Sequence, residues 1–171
     1  MRTTADELRQ VVASATPLLL AMHEAEAAAL PAPGKWSAKQ VIGHLIDSAS
    51  NNHQRFVRAQ FTDDLVFPGY QQDAWVEVQR YQAAAWPELV ALWGHFNLHL
   101  ARVIEGVPPE VRMRLRMRHN LHQLAWRPVP EDQPATLEYF MADYVGHLTH
   151  HVAQILGSDW ERDRSRPGLA S

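Results

Sequence analysis

An all-α domain is predicted by three observations. Helix starts and stops alternate in order along the chain, the segments between them carry apolar residues at helical spacing, and Ser37 with Gln40 forms a capping box of the kind that opens a helix. Thr3 or Thr4 caps a first helix expected to run to about Leu30, with Asp6 and Glu7 in the first turn, where the helix dipole favours negative charge. Pro31, Pro33 and Gly34 stop it. Ser37 opens the second helix, predicted to extend to about Phe61.

Residues 62–73 hold Pro68 and Gly69 among polar side chains and read as a crossing loop; it ends at a cap, Asp73, with Trp75 just inside a short extra helix. A third helix begins near Trp86 with Pro87 at its first position, and runs through Leu89, Leu92, Trp93, Phe96 and Leu100 to about Glu105. Gly106 and Pro108 end it. Residues 111–118 (VRMRLRMR) then alternate strictly, with Arg112, Arg114, Arg116 and Arg118 on one side and Val111, Met113, Leu115 and Met117 on the other. Period two predicts an edge strand or extended connector with its apolar side on the helices. The alternative, an arginine face gripping an anion or phosphate backbone, lacks the nearby aromatics that base stacking needs. Pro128, Pro130 and Pro134 make a stiff approach to the last helix, capped by Thr136 and ended by Gly157. Residues 161–171 are charged and lack core residues, so a single domain is expected over residues 1–160, followed by a mobile tail.

The 171 residues suffice for one domain with a substantial core, and 46% hydrophobic with 20% charged residues is an ordinary globular composition. A net charge of −3 exerts no global pull toward nucleic acid or anionic membrane, so neither is expected as a partner. The chain has no cysteine, which excludes disulfides, thiolate zinc sites and a cysteine nucleophile together; any metal must be held by nitrogen and oxygen. Residues 1–10 lack the charged start and apolar run of a signal peptide, and no apolar stretch is long enough to span a bilayer, so a cytoplasmic location is expected. Six tryptophans exceed what one small core needs, which makes a homodimer plausible.

Among ten histidines, His147 and His151 stand out. An i, i+4 spacing on one helix places two side chains about 6 Å apart at Cβ, close enough to share one ion. His150 lies on the same flank and competes for the role. A third candidate, His44, shares a helix face with Asp47, Ser48, Asn51 and Arg55, beside an apolar stripe of Val41, Leu45, Ala49 and Phe56. Asp47, Asn51 and Arg55 are suited to supporting a ligand or touching substrate, and Arg55 to binding carboxylates; the alternative is a hydrogen-bonded polar seam between helices. His95 and His99 repeat the spacing with no such polar cluster, which favours a structural role.

Residues 35–56 (KWSAKQVIGHLIDSASNNHQRF), the Tyr70 and Trp75 pair, and residues 144–155 (YVGHLTHHVAQI) together resemble the DinB/YfiT superfamily. The resemblance spans most of the chain. It implies a four-helix bundle with an open divalent-metal site at one end, ligated by His44, His147 and His151, with His150 as a neighbouring non-ligand. It further implies either transfer of a low-molecular-weight thiol such as bacillithiol to an electrophile, or metal-dependent hydrolysis of a small-molecule substrate. Zinc suits imidazole best, although nickel or iron accept the same donors. A non-catalytic metal-binding or dimerisation module is the reading from another class, and a fourth protein ligand would distinguish it.

Overall fold

The computed structural model describes residues 2–165, and helices account for all of its regular structure. The elements are α1 (Thr4–Ala21), α2 (Glu24–Ala28), α3 (Ala38–Arg58), α4 (Gln72–Val78), a 3-10 turn (Tyr81–Ala83), α5 (Trp86–Gly106), α6 (Pro109–Arg112), α7 (Leu121–Leu124), α8 (Leu137–Leu156) and α9 (Ser158–Ser165). The four long helices form a bundle in which α1 packs on α5 and α8, and α3 packs on the same two. Going round the bundle the order is therefore α1, α5, α3, α8, and the first two long helices face each other across a diagonal. No helix among the described residues is long and apolar enough to cross a membrane.

The capping predictions hold in detail. Thr3 and Ser37 both make reciprocal capping boxes, Thr136 accepts from the amide of Tyr139 at 3.0 Å, and Gly157 leaves α8 at φ 88°, a value that glycine adopts without strain. Three boundaries differ, the smallest being the end of α3 at Arg58 instead of near Phe61. The first helix stops at Ala21 instead of near Leu30, because Met22 is extended and a separate short helix follows; the break carries Glu24 to the Lys39 ammonium and to the amide of Trp86 at 3.0 Å. The short helix after the crossing loop starts from Gln71, which makes no side-chain capping bond, two residues before the predicted cap Asp73.

The strand predicted at residues 111–118 is absent. Its first residues belong to α6, and the rest are irregular apart from an isolated bridge between Arg116 and Ala135, with a second just beyond it between Leu65 and His119. At Arg116 the expected orientation is also inverted, although Arg114 and Arg118 remain exposed. Arg116 is only 2% exposed and donates to the carbonyls of Ala59 and Val111 at 3.2 Å, whereas Met113, Leu115 and Met117 are largely exposed. Guanidinium donors saturate carbonyls that the irregular connector would otherwise leave unpaired, which outweighs burial of flexible thioethers. Arg114 pairs with Asp63 at 2.6 Å, and the side chains of Arg112 and Glu138 approach to 3.2 Å, so the stripe is spread over separate ion pairs.

Of the predicted tail, residues 161–165 continue α9, behind a buried Trp160; residues 166–171 lie outside the described part of the chain. Trp86 and Trp93 fill the core with Trp160, while Trp75 and Trp126 are partly exposed and flank cavities.

One close contact ties α3 to the 3-10 turn. A Cβ on Gly43 would fall 2.1 Å from the Tyr81 ring, and the Tyr81 hydroxyl donates to Asp47 one turn further along α3 at 2.7 Å. Gly43→Ala is expected to displace that ring and to lower stability by about 1–3 kcal/mol in urea unfolding, despite the better helix propensity of alanine.

Candidate metal centre

His44 lies in the second turn of α3, and His147 and His151 lie one turn apart on α8, where the two helices pack together. One ring nitrogen from each comes within 4.8 Å of the others. The Nε2 atoms of His44 and His147 are 3.4 Å apart. Two nitrogens each ~2.1 Å from a tetrahedral ion would be separated by about 3.4 Å, so this pair fits a shared ligand position without rearrangement. The residues present can hold a divalent cation with three neutral imidazoles.

The surroundings fix each ring. His44 packs against Trp36 with ring centroids 5.1 Å apart and is 2% exposed. The Oε1 of Gln154 lies 2.8 Å from His151 Nδ1, so Nδ1 donates and Nε2 keeps its lone pair. The amide of Gln154 donates to His150 Nε2 at 3.0 Å, and the His150 ring packs at a tilt against Trp126; its nitrogens do not join the three-histidine cluster. His99 pairs with His53, at a centroid distance of 5.2 Å, on the α3–α5 side of the bundle.

Burial decides the protonation state. Desolvation, with repulsion from the other histidines, pushes His44 from the ordinary 6.5 to about 4 and His147 to about 3, and it lowers His151 as well. All three are neutral at physiological pH.

A cavity of about 330 Å³ begins at His44 and His147. Its walls come from α3 (Ser48, Asn52, Arg55), the crossing loop (Gly69, Tyr70) and α8 (Phe140, Asp143, Tyr144). The segment Gln123–Trp126 closes the remaining side, and nothing in its sequence signals that role. Asp143 holds this segment, accepting the amides of Trp126 and Arg127 at 2.8 Å each. Of the three polar candidates on α3, Arg55 alone lines the cavity. Asp47 is buried and accepts from Tyr81 and from Gln79, at 2.6 Å, which is the polar-seam alternative. Asn51 donates back to the Asp47 carbonyl at 2.9 Å and borders a separate groove of about 610 Å³. The face was placed too far to one side: at 100° per residue Asp47 lies about 60° one way from His44, and Asn52 about 80° the other.

Because unfolded histidines take up protons near 6.5 and His44 and His147 resist until about 4 and 3, the unfolded state binds more protons between those values. Metal-free protein should therefore lose thermal stability as pH falls from 6.5 to 4. His44→Asn should make that decline shallower in pH-dependent melting curves.

Residues 7–155 match the model of the DinB superfamily. None of the curated proteins matches the chain. Among solved structures the fold is similar to YfiT from Bacillus subtilis, described as a probable metal-dependent hydrolase with an unusual four-helix bundle topology. The two are 22% identical, with a TM-score of 0.72 over 94% of this chain and 85% of that one. That likeness establishes the bundle, and the match over residues 7–155 establishes the lineage: this chain belongs to the DinB superfamily.

Proposed function

We propose that the chain is a divalent-metal-dependent enzyme in which His44, His147 and His151 hold the ion, zinc by preference, and that it transfers a small thiol of the bacillithiol kind to an electrophile. The observation that carries this reading is a three-nitrogen donor set with a cavity beginning at two of its members. Catalytic zinc sites keep one position open, and among the described residues no fourth histidine or carboxylate joins the cluster. When bound, the cation supplies charge that lowers the pKa of a thiol or water at that position.

The chain's own residues prepare the site. The imidazoles offer lone pairs because burial keeps them neutral, and Gln154 orients His151. Trp36 against His44 and Trp126 at the cavity wall limit access of water. In the transfer a sulfur–carbon bond forms to the electrophile, its leaving group departs with the electron pair, and the thiol proton goes to solvent.

Hydrolysis at the same site is the second reading, supported by the description of YfiT. Activating water calls for a group to take its proton. Among the described lining residues the one carboxylate is Asp143, and both its oxygens are occupied by backbone amides. A thiol, with an ordinary pKa of ~8.5, needs less help beside a cation, which supports thiol transfer. A metal-binding or dimerisation module without catalysis would need its fourth position filled by a partner's ligand.

Two measurements test the proposal. In protein purified without an affinity tag, His44→Ala, His147→Ala and His151→Ala should each remove most of the bound metal, His150→Ala should not, and Gln154→Ala should weaken binding about 10-fold, all read by elemental analysis after dialysis against a chelator. Zinc-loaded protein should then accelerate the coupling of bacillithiol to monochlorobimane, with chloride release, and metal-free protein should not. Metal-dependent ester cleavage in place of coupling would establish the second reading, and full occupancy with neither activity would leave the binding module.

A further inference from the structure

Arg55 is buried to 6% exposure in the wall of the cavity that begins at His44 and His147. Its guanidinium carries five N–H donors. One meets the carbonyl of Pro68 at 3.0 Å and another the Asn52 side chain at a long 3.4 Å; the others have no protein acceptor among the described residues. No acid of the described chain forms an ion pair with it. Asp143, the one carboxylate in the same wall, already accepts two backbone amides. The Phe140 ring, 6.0 Å below the guanidinium carbon, adds an apolar face without neutralising the charge. Buried cations are ordinarily paired, because a low-dielectric site penalises an isolated charge. Desolvation pushes the Arg55 pKa down, opposed by the Tyr70 hydroxyl and by no carboxylate.

We infer that Arg55 receives a carboxylate of the substrate, so that the class of molecule bound is a small organic acid whose anionic end lies against Arg55 and whose reacting end lies at the three histidines. This rests on the proposal that the cavity is the substrate site of a metal enzyme. Three features select the class. Arg55 sits eleven residues beyond His44 on the same helix, about 16 Å along the axis, and long side chains on a helix lean back toward its N-terminus, here toward His44. The cavity volume of about 330 Å³ is at the lower end of small-ligand sites. A single planar guanidinium with free N–H groups matches the bidentate geometry of one carboxylate, whereas a phosphate dianion would call for further cations that the wall lacks.

Calorimetric titration of metal-free protein with succinate, with its neutral diamide succinamide and with methyl phosphate tests the inference. Succinate should bind at least tenfold more tightly than succinamide and more tightly than methyl phosphate. Arg55→Gln should erase the difference between succinate and succinamide, and Arg55→Lys, which keeps the charge but not the fork, should retain part of it. Equal binding of succinate and succinamide to the unaltered protein overturns the inference, whether or not the variants fold, and so does a preference that survives in Arg55→Gln. A preference for methyl phosphate overturns the carboxylate in favour of a phosphate monoester. Metal content is read separately: protein that favours succinate but holds no metal keeps the Arg55 site and loses the metal-enzyme reading, while protein that holds metal but shows no preference does the reverse.

Discussion

Polar burial along α3 is the constraint on which the rest of the molecule depends. Thirteen of its 21 residues are buried, and they include Lys39, His44, Asp47, Ser48, Asn52 and Arg55. A helix hidden on most of its circumference cannot solvate such groups, so each must find a partner on another element or remain costly. Lys39 reaches Glu24 on α2 and the Ala84 carbonyl, Asp47 takes the hydroxyl of Tyr81, and Arg55 holds the crossing loop through Pro68. In this way one helix positions most of the irregular segments around it.

Asp47 keeps one carboxylate oxygen without a partner away from the cavity, whereas His44 and Arg55 line the cavity with their needs incompletely met. His44 faces two other neutral imidazoles that offer lone pairs, and burial, with a smaller effect from His151, disfavours its protonated form. Arg55 has donors to spare in a cavity whose one carboxylate is committed elsewhere. A cation at the histidines and an anion at the arginine would complete both, and the two sit in the wall of one cavity. The packing that stabilises the bundle thus places three imidazoles and a buried guanidinium together.

Much of this was legible in the residues. Caps at Thr3, Ser37 and Thr136 are local, since a hydroxyl and an amide three residues away meet whenever the helix forms; the residues place Ser37 and Thr136 outright and leave the first cap between Thr3 and Thr4. The i, i+4 pair of His147 and His151 is equally local. Pairing them with His44 needed two helices 103 residues apart to pack together, and only a recognised motif carried that information before the fold was known. Asp47 and Asn51 were placed in the pocket because a wheel gives a face but not the direction of the neighbour; the neighbour lies on the side of Ser48 and Asn52.

By itself the sequence determined what depends on a few adjacent residues: helix starts, the glycine exit from α8, the exclusion of thiolate ligands, and which histidines could share a turn. Tertiary structure decided the rest. The alternation at residues 111–118 has the period of a strand, yet Arg116 turned inward because the carbonyls of Ala59 and Val111 required donors there. The end of α1 at Ala21 followed from the reach of Glu24 to Lys39 and Trp86, neither of which is near it in sequence. The Gln123–Trp126 wall of the cavity exists because Asp143, on a different helix, gathers two amides of that turn. In each case a buried polar group chose its partner across the fold, and such choices have no periodicity to read.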